Sequence, residues 1–177
     1  LPDDFHRNPD GCLPRAQPEG AFAPTSGTGS GTYGGRVNRP GADYCHALYL
    51  SLELDTALAE YQQVDSLLPP GLVVSYPIKV DSIVDFRSGF GAAWDALWQD
   101  FYCDWRKLHF NDGIEPPTWI IGDQVLAAGG KGILFSSSIK PGGTNLVLYN
   151  DALTDTDSVA AHDPHHMLPK NQDSWSN

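Results

Sequence analysis

Glu60 is the side chain best placed for chemistry. It lies beside an apolar stripe, Leu54, Ala57, Leu58 and Tyr61, whose i, i+3, i+4, i+7 spacing predicts a short helix. At about 100° per residue it lies roughly 60° beyond Ala57, so it can lean into a cleft rather than out to water. Tyr49 belongs to the stretch Ala47 to Leu52, in which Leu48, Leu50 and Leu52 alternate with Ala47, Tyr49 and Ser51. That alternation predicts a strand with the tyrosine on the face away from the leucines. Other reactive groups are less well arranged. Cys12, Cys45 and Cys103 are odd in number and widely spaced, without a Cys-x-x-Cys pair, and read as reduced thiols. His162, His165 and His166, with Asp163 among them, lie in a polar stretch without periodicity, and no metal is expected there. The chain holds no Gly-x-Ser-x-Gly elbow, Walker loop or His-Glu-x-x-His.

The elements that must hold these residues follow in order. Thr25 to Thr32 alternates glycine with Ser and Thr and reads as a mobile loop, since glycine costs backbone entropy inside a regular element. After the break at Pro69-Pro70-Gly71, Leu72 to Val80 predicts a second strand. Ala92 to Leu108 carries Trp94, Leu97, Trp98, Phe101 and Trp105 at helical spacing, an aromatic face that belongs in a core. Pro116-Pro117-Thr118 opens a helix through Ala128, stopped by Gly129-Gly130. Gly132 to Ser137 and Asn145 to Asn150 predict antiparallel strands across the turn at Pro141-Gly142-Gly143. Strands and helices without a βαβ rhythm give an α+β class. The expected organisation is one domain over residues 1–155, with a flexible Gly/Ser/Thr loop at 24–35, and a polar C-terminal tail over 156–177.

Composition narrows the function classes. With 177 residues, 41% hydrophobic content and five tryptophans, the chain has the means to build a core. A formal charge of −11 repels phosphate backbones, which argues against direct nucleic-acid binding and favours a basic or amphipathic partner. No apolar run reaches membrane-spanning length and no signal peptide opens the chain, so no membrane association is expected. A first residue Leu1 in place of Met suggests an excised or processed domain.

An ordered series of short motifs says more. Phe5-His6-Arg7 is followed by Gly34-Gly35-Arg36-Val37-Asn38, Pro40-Gly41, Ala47-Leu48-Tyr49-Leu50 and Ala57-Leu58-Ala59-Glu60. Later come Ile121-Gly122-Asp123, Gly132-Ile133-Leu134, Ser136-Ser137-Ser138 and Gly143-Thr144-Asn145 running to Asn150. Over residues 5 to 151 this series resembles the RES family, named for its Arg, Glu and Ser. The resemblance implies an ADP-ribosyltransferase-like fold, with mixed and antiparallel sheets and flanking helices around a cleft. It implies a toxin that degrades NAD at the nicotinamide–ribose bond, by hydrolysis or phosphorolysis. ADP-ribosyl transfer to a target protein and a non-catalytic NAD-binding module are the alternatives. NAD is then the substrate, with no further cofactor. The implied partner is an antitoxin or immunity protein covering the active site, and the implied place of action is the bacterial cytoplasm, reached in some cases as the C-terminal domain of a secreted effector.

In that role Glu60 is the catalytic carboxylate on the ribose. Arg7 and Arg36 match the family's arginines, with the catalytic and phosphate roles open between them. Ser137 is the catalytic serine by position, with Ser136 and Ser138 as close rivals and Thr118 as a further hydroxyl. Tyr49 stacks on nicotinamide, and Asn38 and Asn145 supply amide contacts. Val37 stands where relatives usually carry an aromatic, which leaves stacking to Tyr49 or another ring, or to a ligand that sits differently.

Overall fold

Alternating side chains in three neighbouring strands divide the interior into two layers. The computed structural model describes residues 23–41, 43–62 and 71–170, with the backbone of two short strands before them. The strands are β1 (Phe5–His6), β2 (Leu13–Pro14), β3 (Ala47–Ser51), β4 (Ile78–Lys79), β5 (Ile83–Asp85), β6 (Gly132–Ser136), β7 (Thr144–Tyr149) and β8 (Ser158–Val159). Six of them form one sheet in the order β1-β5-β6-β7-β3-β2, while β4 and β8 pair separately. Within the large sheet β5 and β6 run parallel and the other described pairs antiparallel. With helices α1 (Thr28–Tyr33), α2 (Leu54–Gln62) and α3 (Pro117–Ala127), this is a single mixed domain of the expected α+β kind.

The period-2 rule assigns the strand side chains to the two layers. Ala47, Ile133, Phe135, Val147 and Tyr149 point to one side, where they meet Ile121 and Val125 of α3 and an aromatic group of Phe86, Trp98 and Phe101. Leu48, Leu50, Leu134, Leu146 and Leu148 point to the other, under Val74, Tyr76, Ile78 and Val80. Both faces are covered, so β3 is buried on both sides. The register places Ser51 opposite Asn145 and Asn145 opposite Phe135 in one row across the sheet.

The structure departs from four expectations. Residues 28–33, read as part of a loop, form α1. Gly31 is buried there, in a place where a Cβ would collide with the His46 ring, and Ser30 Oγ accepts from Ala47 N at 3.0 Å. These contacts fix a segment that glycine would otherwise leave loose. The helix expected from Ala92 to Leu108 is interrupted: a 3-10 turn covers Ala96–Asp100, a π-turn covers Lys107–Asn111, and the chain between them bends away. Asp95 starts the first piece by accepting from Leu97 N, and Asp104 accepts from Lys107 N in the second. Leu72 to Val80 does alternate buried and exposed residues, but only Ile78 and Lys79 pair in a ladder.

The fourth departure concerns the segment after 155. There β8 pairs with β4, and Val159, Ala161 and Leu168 pack against the second layer. Asp157 anchors this return. Its Oδ2 accepts from Thr154 N at 2.7 Å, Thr154 Oγ1 at 2.8 Å and Lys131 Nζ at 2.8 Å, with its side chain only 2% exposed. Burial pushes its carboxyl up, but the lysine and Thr154 donors outweigh that and bring it down to about 2. Because the folded value is depressed, the stabilisation is present above the ordinary carboxylate range and is lost as pH falls through about 2. Asp157→Asn should therefore lower stability at neutral pH by on the order of 1–2 kcal/mol and flatten the acid limb below about pH 4, as read from urea melts at several pH values.

Candidate functional site

The acidic side chains of α2 hold the connection between β6 and β7. Glu53, just before the helix, accepts from Thr56 Oγ1 at 2.8 Å and from Thr144 N at 2.9 Å. Asp55 pairs with Lys140 at 2.9 Å. One turn on, Glu60 Oε1 accepts from Ser137 Oγ at 2.8 Å and from Asn145 Nδ2 at 2.7 Å. Asn145 is oriented in turn by Ser51 Oγ, which donates to its Oδ1 at 2.8 Å across the strand pair. Ser137 Oγ also accepts from Ile139 N and Lys140 N at 3.1 and 3.0 Å, so it shapes the loop as well as touching Glu60. The glutamate is half-buried and its carboxylate is fixed from two elements. Of the three adjacent serines, Ser137 is the one on Glu60, whereas Ser136 Oγ donates to Arg87 O.

Arg36 arrives from a turn that is tied down at nearly every residue. Gly35 N donates to Asn38 O at 3.0 Å, Trp119 Nε1 donates to Gly35 O at 2.8 Å, and Tyr149 Oη donates to Val37 O at 3.0 Å. Tyr49 Oη accepts from Val37 N at 3.0 Å and donates to Asn38 Oδ1 at 2.8 Å. Asn38 Nδ2 donates to Ser30 O at 2.9 Å. The turn therefore aims Arg36 with little freedom. Its Nη1 donates to the carbonyls of Phe101 at 2.9 Å and Cys103 at 3.1 Å, inside the interrupted helix. That is the physical reason for the break: an unbroken helix would direct both carbonyls along its own axis.

Tyr49 and Asn38 thus hold the backbone that carries Arg36. Val37, at the position where an aromatic was expected, is a core residue. Tyr49→Phe keeps the ring and removes the hydroxyl, stranding Val37 N and Asn38 Oδ1. A loss of about 1–3 kcal/mol is expected, readable as a melting temperature several degrees lower. An unchanged melt would show that the phenol is not a structural anchor.

Two residues that sequence reasoning missed stand beside Arg36. The guanidinium lies 5.9 Å from the centre of the Tyr102 ring, and Tyr102 Oη donates to Ser136 O at 3.1 Å. Tyr102 is 42% exposed, so its ring is accessible where the Tyr49 hydroxyl is engaged. Burial raises the Tyr102 phenol and Arg36 opposes that rise. Arg106 is half-buried with its guanidinium 4.7 Å from the Trp105 ring centre. Its pKa is pulled below the ordinary arginine range, by burial first and by the like charge of Arg36 second, against the attraction of Glu60 and Asp104. Arg36, Arg106 and Glu60 thus share one electrostatic neighbourhood. The sequence held no motif for Arg106 or Tyr102; the one clue was a polar pair, Arg106-Lys107, inside an aromatic run.

The structure therefore brings Glu60, Ser137 and Asn145 into one hydrogen-bonded group, and Arg106 feels the charge of both Glu60 and Arg36. Thr118 stands apart from that group: it is fully buried at the start of α3, against the Cys103 thiol. Arg7 and Cys12 lie outside the described residues.

The sequence matches the RES domain family over residues 12–171. The chain belongs to the RES family. Its fold is also found in a chain of the crystal structure of the M. tuberculosis MbcT–MbcA toxin–antitoxin complex. That match has a TM-score of 0.59 and 16% identity and covers 90% of this chain and 84% of that one. No curated protein matches it. Within this RES domain, among the described residues, no group of three or more His, Cys, Asp or Glu is arranged to hold a metal ion, and no helix is long and apolar enough to cross a membrane.

Proposed function

We propose that this RES domain is a toxin that cleaves the nicotinamide–ribose bond of NAD. The observation that supports this most directly is the Glu60 carboxylate, held by Ser137 and Asn145 with the half-buried Arg106 within reach of its charge. Cleavage breaks the bond between the anomeric carbon and the pyridinium nitrogen. The electron pair goes to that nitrogen, so nicotinamide leaves neutral, and positive charge grows on the ribose ring. A fixed carboxylate near that ring stabilises the charge more in the transition state than in the ground state. Arginine's planar fork suits the dinucleotide's pyrophosphate, a role for Arg36, and Arg7 remains a candidate for it by family resemblance. The rings of Tyr49 and Tyr102 are the candidates to face nicotinamide. Attack by water gives ADP-ribose and a proton; attack by inorganic phosphate gives phosphorylated ADP-ribose; attack by a protein side chain gives ADP-ribosylation.

Purified protein incubated with NAD, with and without inorganic phosphate, tests the reading through nicotinamide release. Release only with phosphate assigns phosphorolysis, release in both shows hydrolysis, and binding without release, in a protein that also labels no target in a lysate, refutes an enzyme. Labelled NAD in a lysate identifies protein transfer by a labelled band. The similar structure comes from a toxin–antitoxin complex, and we extend that to an antitoxin partner that covers the Glu60 site. An acidic chain of net charge −11 favours a basic segment for that contact.

A further inference from the structure

Arg106 matches none of the residues expected from the family resemblance, yet its surroundings are those of an anion-binding group. The carbonyls that accept from Arg36, those of Phe101 and Cys103, belong to the turn that leads into Arg106. One guanidinium therefore fixes the backbone that carries the other. Arg106 immediately precedes the π-turn Lys107–Asn111, a local distortion often found where a side chain must be aimed at a ligand. The Trp105 ring at 4.7 Å supports one side of its guanidinium plane.

Charge pairing separates these two arginines from their neighbours. Arg39 is shared by Glu115 and Asp123, and Arg87 is paired with Asp85. Among the described residues neither Arg36 nor Arg106 is in an ion pair with a carboxylate, although both are half-buried and close enough to repel each other. Keeping two like charges together away from bulk water costs free energy unless an anion sits between them. A phosphate oxyanion supplies that charge and accepts from planar N–H donors on both sides. Glu60 attracts Arg106 as well, so the same residue links the anion to the carboxylate.

We infer that Arg36 and Arg106 together hold a phosphate oxyanion beside Glu60, with Arg106 positioning and selecting a phosphate-bearing substrate. This rests on the NAD-cleaving reading above. The oxyanion has two possible sources, the pyrophosphate of NAD and a free inorganic phosphate that attacks the ribose.

The test compares wild type with Arg106→Gln and Arg106→Lys on NAD, on nicotinamide riboside (which carries no phosphate), and across a titration of inorganic phosphate. If the pyrophosphate is held, R106Q raises KM for NAD roughly tenfold to a hundredfold and leaves nicotinamide riboside cleavage unchanged. If free phosphate is held, KM for NAD stays and the phosphate concentration giving half-maximal stimulation rises by that factor. R106K should recover part of either loss, as a point charge without the fork. An equal loss on both substrates with an unaltered phosphate dependence would mark Arg106 as structural and overturn the inference, as would no change at all. Should R106Q fail to fold, the same selectivity at smaller size must appear in R106K. Should the wild type release no nicotinamide, hydrolysis and phosphorolysis fall separately, and calorimetric titration with ADP decides the cradle. Binding at least tenfold weaker in the variant supports it, and equal or absent binding overturns it.

Discussion

Glu60→Gln should slow nicotinamide release by about a hundredfold to a thousandfold while melting within a degree or two of the wild type. Glutamine keeps a carbonyl oxygen that can accept from Ser137 Oγ and Asn145 Nδ2, so the links from α2 to the β6–β7 connection survive. What disappears is the negative charge facing the ribose. That charge matters most when the ring carries positive charge, so kcat should fall and KM for NAD should move little. Asp55→Asn is the control: Asp55 lies on the same helix and pairs with Lys140, but it is 63% exposed and takes no part in the Glu60 group. Its variant should cleave at the wild-type rate. A wild-type rate in E60Q would remove Glu60 from the reaction, whatever the fate of the arginines. The readout must include the melting curve, because a slow variant that also melts early would report on packing instead.

The strands around this site were readable because their side chains face different environments on alternate residues. Leu48 and Leu50 against Ala47, Tyr49 and Ser51 is a pattern that a helix would not produce, and β3 carries it in the structure. The helices α2 and α3 were readable for the same kind of reason, apolar spacing in one and a Pro start with a Gly-Gly stop in the other. Glu60, Ser137 and Asn145 could be named through the family resemblance, but their mutual hydrogen bonds depend on how β3, β6 and β7 align, which no local spacing encodes. The break at 101–104 was illegible for a related reason. Trp98, Phe101 and Trp105 have the spacing of a helical stripe, and what overrides it is Arg36, some 65 residues away in sequence, drawing on the Phe101 carbonyl. β5 is three residues long and shows too little alternation to stand out. The glycine-rich stretch is helical against its propensity because Gly31 is buried on the His46 ring, a contact that lies outside the local sequence.

Gly122→Ala should be among the most damaging single-methyl changes at the described glycines. In the sequence it is only the centre of Ile121-Gly122-Asp123; in the structure a Cβ there would fall far inside contact distance of the Val37 carbonyl oxygen and against the Tyr149 hydroxyl. α3 can lie on the Arg36 turn only because this residue has no side chain. Alanine in a helix interior gains up to about 1 kcal/mol in propensity, which works against the expectation. The collision is with backbone, which yields little, and displacing Val37 O breaks its buried hydrogen bond from Tyr149. Overpacking and the stranded hydroxyl together should outweigh the propensity gain, for a net loss of about 2–5 kcal/mol and a melting temperature roughly 5–15 °C lower. Gly29→Ala makes the contrast, since a Cβ at that position of α1 meets nothing within 4 Å. It should melt at or slightly above the wild type. If both variants melted alike, the close approach of α3 to the turn would not be what holds Arg36 in place. If only G122A fell, and NAD turnover fell further than the unfolded fraction explains, the same contact would be shown to aim the arginine as well as to pack the fold.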